Sequence, residues 1–92
     1  MEKLKTTPLV SIIIPTFNSQ KTIKQCLESV VKQTYKRIEI LVVDRYSTDD
    51  TVKIARQFKA KVFLLKCERS EAKNYAARKA KGEFLLFIDS DM

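Results

Sequence analysis

Four short apolar runs, Leu9 to Ile14, Ile38 to Val43, Val62 to Leu65 and Phe84 to Ile88, recur at fairly regular intervals, each followed by turn-forming residues. Their apolar positions are nearly continuous instead of alternating. A strand reads this way when both faces are covered, which points to a parallel sheet between helices. The segments between the runs are helical. In the first, Ile23, Cys26, Leu27, Val30 and Val31 form one stripe, while Lys24, Gln25, Glu28 and Lys32 fall outside it. A second helix is expected to begin near Thr48 to Asp50, whose short side chains can cap its first amides, and to carry Val52, Ile54, Ala55 and Phe58. A third runs from about Ser70 to Lys81, with Ala72, Tyr75, Ala76 and Ala80 on one face and Gly82 expected as a left-handed C-cap. The order is βαβαβαβ, an α/β fold with a mainly parallel four-stranded sheet.

The composition removes several chemistries. Ninety-two residues make one small domain, whose first eight are expected to be a flexible N-terminus. With no histidine, neither a Ser-His-Asp triad nor a Cys-His pair can form. One glycine, Gly82, is too few for a dinucleotide fingerprint or a Walker A loop. Cys26 and Cys67, far apart, read as reduced structural thiols. With no long apolar run and a charged start, a cytoplasmic setting is expected. Lysine and arginine number 18 against 11 acids, a net charge of +7 that admits nucleic acid, anionic lipid or phosphate-bearing small molecules. The aromatics lie mostly inside the apolar runs, so nucleic acid is not the expected partner.

In an open α/β sheet, ligands bind beyond the carboxyl ends of the strands. The residues there are polar: Pro15, Thr16, Phe17 and Asn18; Asp44 and Arg45; Lys66 to Arg69; Asp89, Ser90 and Asp91. Three carboxylates are expected to converge on one edge, where a divalent metal would offset their repulsion. Asp89 and Asp91 would face the same way if strand geometry persisted through Ser90, a pairing suited to magnesium or manganese with substrate phosphates. Asp44 either caps the loop or accepts hydrogen bonds from a ribose hydroxyl or a base edge. Phe17 either stacks on a base or packs on the next helix. Arg69 and Lys73 either neutralise phosphate near the third helix or face water.

The segments VSIIIPTFN (10–18), SVVKQTY (29–35), IEILVVDRYSTDDT (38–51) and AKNYAARKAKGEFLLFIDSD (72–91) together resemble the start of a family 2 glycosyltransferase of the GT-A fold. The resemblance implies a Rossmann-like, truncated nucleotide-diphospho-sugar-binding domain spanning 1–92. It would use a divalent cation, Mg or Mn, to transfer a sugar to a sugar, lipid or protein acceptor, in the cytoplasm or at the inner face of the membrane. It further implies that Pro15, Thr16 and Phe17 lie against the base, that Asp44 contacts the nucleoside, and that Asp89 and Asp91 engage the metal and the ribose-diphosphate. Arg45 and Tyr46 stand where the family commonly has a second acid and a glycine. Lys73 and Asn74 replace a usual Arg-Asn pair, and Ala76 a common glycine. Two alternatives are a non-catalytic nucleotide-binding module of the same fold and, from a different class, a nucleic-acid-binding domain. An open sheet edge after Ile88 would invite homo-oligomerisation.

Overall fold

The computed structural model describes residues 8–66 and 68–90, with the side chain of Arg69 outside the description. The elements are β1 (Val10–Thr16), α1 (Gln20–Lys32), β2 (Ile38–Asp44), α2 (Thr51–Gln57), β3 (Lys61–Leu64), α3 (Arg69–Lys79) and β4 (Phe84–Phe87). All strand pairs are parallel, in the order β3-β2-β1-β4. The chain steps outward from β1 to β3, then returns to lay β4 on the other side of β1. That reversal opens a crevice beyond the carboxyl ends of the central strands.

Alternation along β1 and β2 divides the core into two layers. Ile12, Ile14, Ile40 and Val42 pack beneath Ile23, Leu27 and Val30 of α1 and Ala55 of α2. Ile13, Leu41 and Val43 face the other way, onto Ala72 and Ala76 of α3. The two alanines let α3 lie close to the sheet. Phe63 and Tyr75 meet edge to face beside them, with ring centroids 5.7 Å apart. Both central strands are thus covered on both faces, as their continuous apolar runs demand.

Three expectations change. All four residues of β4 are exposed, Phe84 at 60%, although the run reads as a doubly covered strand. β4 is an edge strand paired only with β1, and no described helix covers it. Val31, assigned to the α1 stripe, is exposed because the buried face of α1 is confined to Ile23, Leu27 and Val30. The cap expected for α2 from Thr48 to Asp50 is made by Asp49, whose carboxylate accepts the Thr51 amide at 3.0 Å. Gly82 is not a left-handed cap, since α3 ends at Ala80 in an extended conformation and no glycine has positive φ. Its reason is close approach. A Cβ there would lie 2.4 Å from Ser11 Oγ and 2.8 Å from the Leu9 carbonyl, and the Gly82 amide donates to Ser11 Oγ at 2.8 Å.

Cys26 is a free, half-buried thiol whose pKa burial raises, while Cys67 lies outside the described residues. Among the described residues no helix is long and apolar enough to cross a membrane.

Candidate functional site

The loops after β1 and β2 are tied together by short polar side chains that a sequence shows only as turn formers. Asp44, the last residue of β2, is fully buried. Its Oδ1 accepts hydrogen bonds from Thr16 Oγ1 (2.7 Å) and Ser47 Oγ (2.6 Å), and its Oδ2 from the Ser47 amide (2.7 Å). Ser47 Oγ in turn accepts the Asn18 amide at 2.7 Å, and Asn18 Oδ1 accepts the Thr48 amide at 2.8 Å. One turn further, Thr51 Oγ1 accepts the Ser19 amide and Asp49 Oδ2 accepts the Gln20 amide, joining the start of α1 to the start of α2. Burial would raise the Asp49 pKa, but the Thr51 hydroxyl and amide and the Gln20 amide together lower it.

Two residues of these loops adopt the left-handed region, Asn18 at φ 47° and Tyr46 at φ 52°. Asparagine tolerates this conformation; for Tyr46 it costs about 1 kcal/mol. Tyr46 stands where the resemblance expects glycine, the residue that adopts this region without steric cost. Its ring lies 6.0 Å from Lys66 Nζ.

Above this network lies a cleft of about 890 Å³, bordered by Pro15, Thr16, Phe17, Arg45 and Ser90. Ser90, buried just past β4, reaches Ser19 Oγ at 3.0 Å and donates to the Pro15 carbonyl at 3.4 Å, closing the third side. Phe17 is 56% exposed, and the Arg45 guanidinium lies 5.7 Å from its ring centroid.

Not every expected residue meets there. Asp44 lies beneath the cleft, where neutral donors engage both of its oxygens. Asp89 is half-buried and borders a separate apolar groove between α1 and β4, with Cys26, Val30 and Leu86. β4 ends at Phe87 and Ser90 sits in a turn, so the strand alternation that would align Asp89 with Asp91 does not persist. Asp91 lies outside the described residues. Lys73 sits over the Phe87 ring at 5.5 Å. Arg69 opens α3, which is capped by reciprocal bonds between Glu68 and Glu71. Sequence reasoning passed over Ser19, Ser47 and Ser90 as binders of the loops and took Thr48 and Asp49 as helix caps alone; their one signal was the density of small polar residues after two strands.

Residues 11–92 match the family model described as Glycosyl transferase family 2. Among curated proteins, the Escherichia coli UDP-Glc:alpha-D-GlcNAc-diphosphoundecaprenol beta-1,3-glucosyltransferase WfaP is 43% identical over 88 residues, covering 90% of this chain and 35% of its own length. Glycosyltransferase GlyG of Streptococcus pneumoniae is 38% identical over 90% of this chain and 30% of its own length. The chain therefore spans about a third of these relatives. Among solved structures, S. aureus TarS 1-349 superposes with a TM-score of 0.83 at 38% identity, covering 89% of this chain and 27% of that one. The mannosyltransferase PcManGT from Pyrobaculum calidifontis, in complex with GDP-Man and Mn2+, gives 0.81 at 30% identity, covering 94% and 28%.

Proposed function

Because the chain belongs to glycosyl transferase family 2 and has its GT-A type of α/β fold, we propose that the cleft above β1 and β2 holds the nucleoside diphosphate of a sugar donor, for transfer of the sugar to an acceptor. One observation carries this reading: the cleft opens where the strand order reverses, and its floor is held rigid by the Asp44 network. A rigid floor fixes the donor without ordering a loop at each binding event. Pro15, Thr16, Phe17 and Arg45 form the base side of the site. Asp44 acts from below, as a positioning residue. Arg69 and Lys73, on the first two turns of α3, are the residues we assign to the charge of the diphosphate.

Among the described residues no group of three or more histidine, cysteine or acidic side chains gathers to hold a metal ion. The donors we propose are Asp89 and Asp91. A pair of carboxylates gives an all-oxygen set that suits magnesium or manganese, which complete their shells with water and phosphate oxygens. When bound, such an ion would act as a Lewis acid toward the leaving diphosphate.

WfaP is named for a diphosphoundecaprenol-linked acceptor and TarS for poly(ribitol-phosphate). A lipid-linked or polymeric acceptor at the inner face of the membrane is accordingly the setting we propose. Titration calorimetry with UDP and GDP, with and without manganese, tests the reading. Metal-dependent binding of at least one nucleotide is expected, weakened about tenfold or more by Asp89→Asn. Binding of neither contradicts it.

A further inference from the structure

The loop network engages most acceptors at the tips of β1 and β2 and, among the described residues, leaves the Arg45 guanidinium there without a hydrogen-bond partner. The carbonyls of Pro15, Thr16 and Phe17 already accept hydrogen bonds from Ser90 Oγ, the Arg45 amide and Ser19 Oγ. Asp44 is buried with both oxygens engaged, and Asn18 Oδ1 holds the Thr48 amide. Asp49 directs its oxygens at the Gln20 amide and at Thr51. The guanidinium of Arg45 is different. Among the described residues it makes no ion pair and no side-chain hydrogen bond, and it lies over the exposed ring of Phe17.

We propose that Arg45, stacked on Phe17, reads the base of the donor and selects guanine over uracil. The proposal rests on the donor-binding reading above. A guanidinium only donates, in a planar fork. Guanine presents O6 and N7 as adjacent acceptors that match this fork with two parallel hydrogen bonds. Uracil places an N–H donor between two carbonyls, so the fork reaches one oxygen. The imide N–H then needs an acceptor where the nearest carboxylates, Asp44 and Asp49, already hold donors of their own.

Dissociation constants for GDP and UDP, each with manganese, measured on the protein and on Arg45→Asp and Arg45→Lys, test this. GDP should bind about tenfold tighter than UDP. Arg45→Asp, which offers the imide an acceptor, should abolish or reverse that ratio. Arg45→Lys, which keeps the charge and loses the fork, should shrink it. Thermal unfolding of each variant near the parent midpoint would show that the exposed substitution leaves the fold intact. Equal affinities, a UDP preference in the parent, or a ratio unmoved by Arg45→Asp would overturn the base assignment and leave the donor site standing. Failure of both nucleotides to bind would overturn both.

Discussion

Glu39 and Asp44 stand near opposite ends of β2, and each accepts a hydrogen bond from the β1 hydroxyl directly across the ladder. Ser11 reaches Glu39 at 2.5 Å and Thr16 reaches Asp44 at 2.7 Å. What else holds each carboxylate differs. Glu39 takes the Lys61 ammonium at 2.9 Å and the Lys81 amide at 2.6 Å. Burial would raise its pKa, but the Ser11 hydroxyl, the Lys81 amide and the bond and charge of Lys61 pull it down to about 2. Among the described residues Asp44 is met by neutral donors, the Thr16 hydroxyl and the hydroxyl and amide of Ser47 in the loop that it organises. At the amino end of the strand the carboxylate fastens the α3–β4 connection to the sheet. At the carboxyl end it shapes the floor of the cleft. The same two-residue pairing thus serves stability at one end and site geometry at the other.

The sharpest way to break this comparison is to remove the carboxylates one at a time. Asp44→Ala leaves two hydroxyls and an amide without their acceptor in a buried place and is expected to cost about 4 kcal/mol. That is a large fraction of the roughly 5–15 kcal/mol a domain has in total. Urea unfolding would measure it, and nucleotide binding should fail with it. Gly82→Ala strikes the other end. Its new Cβ meets backbone at Ser11 and Leu9, so a loss of about 2–3 kcal/mol is expected, with nucleotide affinity of the folded fraction unchanged. If Gly82→Ala impaired binding as much as Asp44→Ala did, the division of labour between the ends would be wrong.

Acid titration sharpens the same contrast. The folded pKa of Glu39, about 2, lies below its ordinary 4.5. Its contribution is therefore complete above pH 4.5 and disappears as pH falls toward 2. Because Lys61 is half-exposed, screening reduces that contribution to about 2 kcal/mol. Glu39→Gln should flatten the stability profile over that window; an unchanged profile would mean that Glu39 is not held as described. The smallest effect is reserved for Lys61→Met, about 0.5 kcal/mol or less by thermal unfolding and fading in high salt.

Much of the fold is written locally. Continuous apolar runs place β1 and β2 at the centre, and the spacing of Ile23, Leu27 and Val30 sets the buried face of α1. What escaped the sequence depends on partners far along the chain. Gly82 looks like a helix cap, yet its reason is Ser11, 71 positions away. An acid after a buried strand reads as a loop cap or as an acceptor for ribose or base, and only Thr16 and Ser47, folded over Asp44, show that it caps the loop. The run of β4 announces an interior strand, but a run does not say which element covers it, and here each of its residues is exposed. Arg45 reads as a departure from a family pattern; its place over Phe17 comes from two loops meeting.

The central claim is that the carboxyl end of β1 and β2 is the ligand face. Backbone amide shifts recorded while a nucleoside diphosphate is titrated with magnesium test it most directly. The largest changes are expected at residues 16–19 and 45–47, with Ser11, Glu39, Lys81 and Gly82 unmoved. Shifts centred on that second group, or none at either end, would contradict the account.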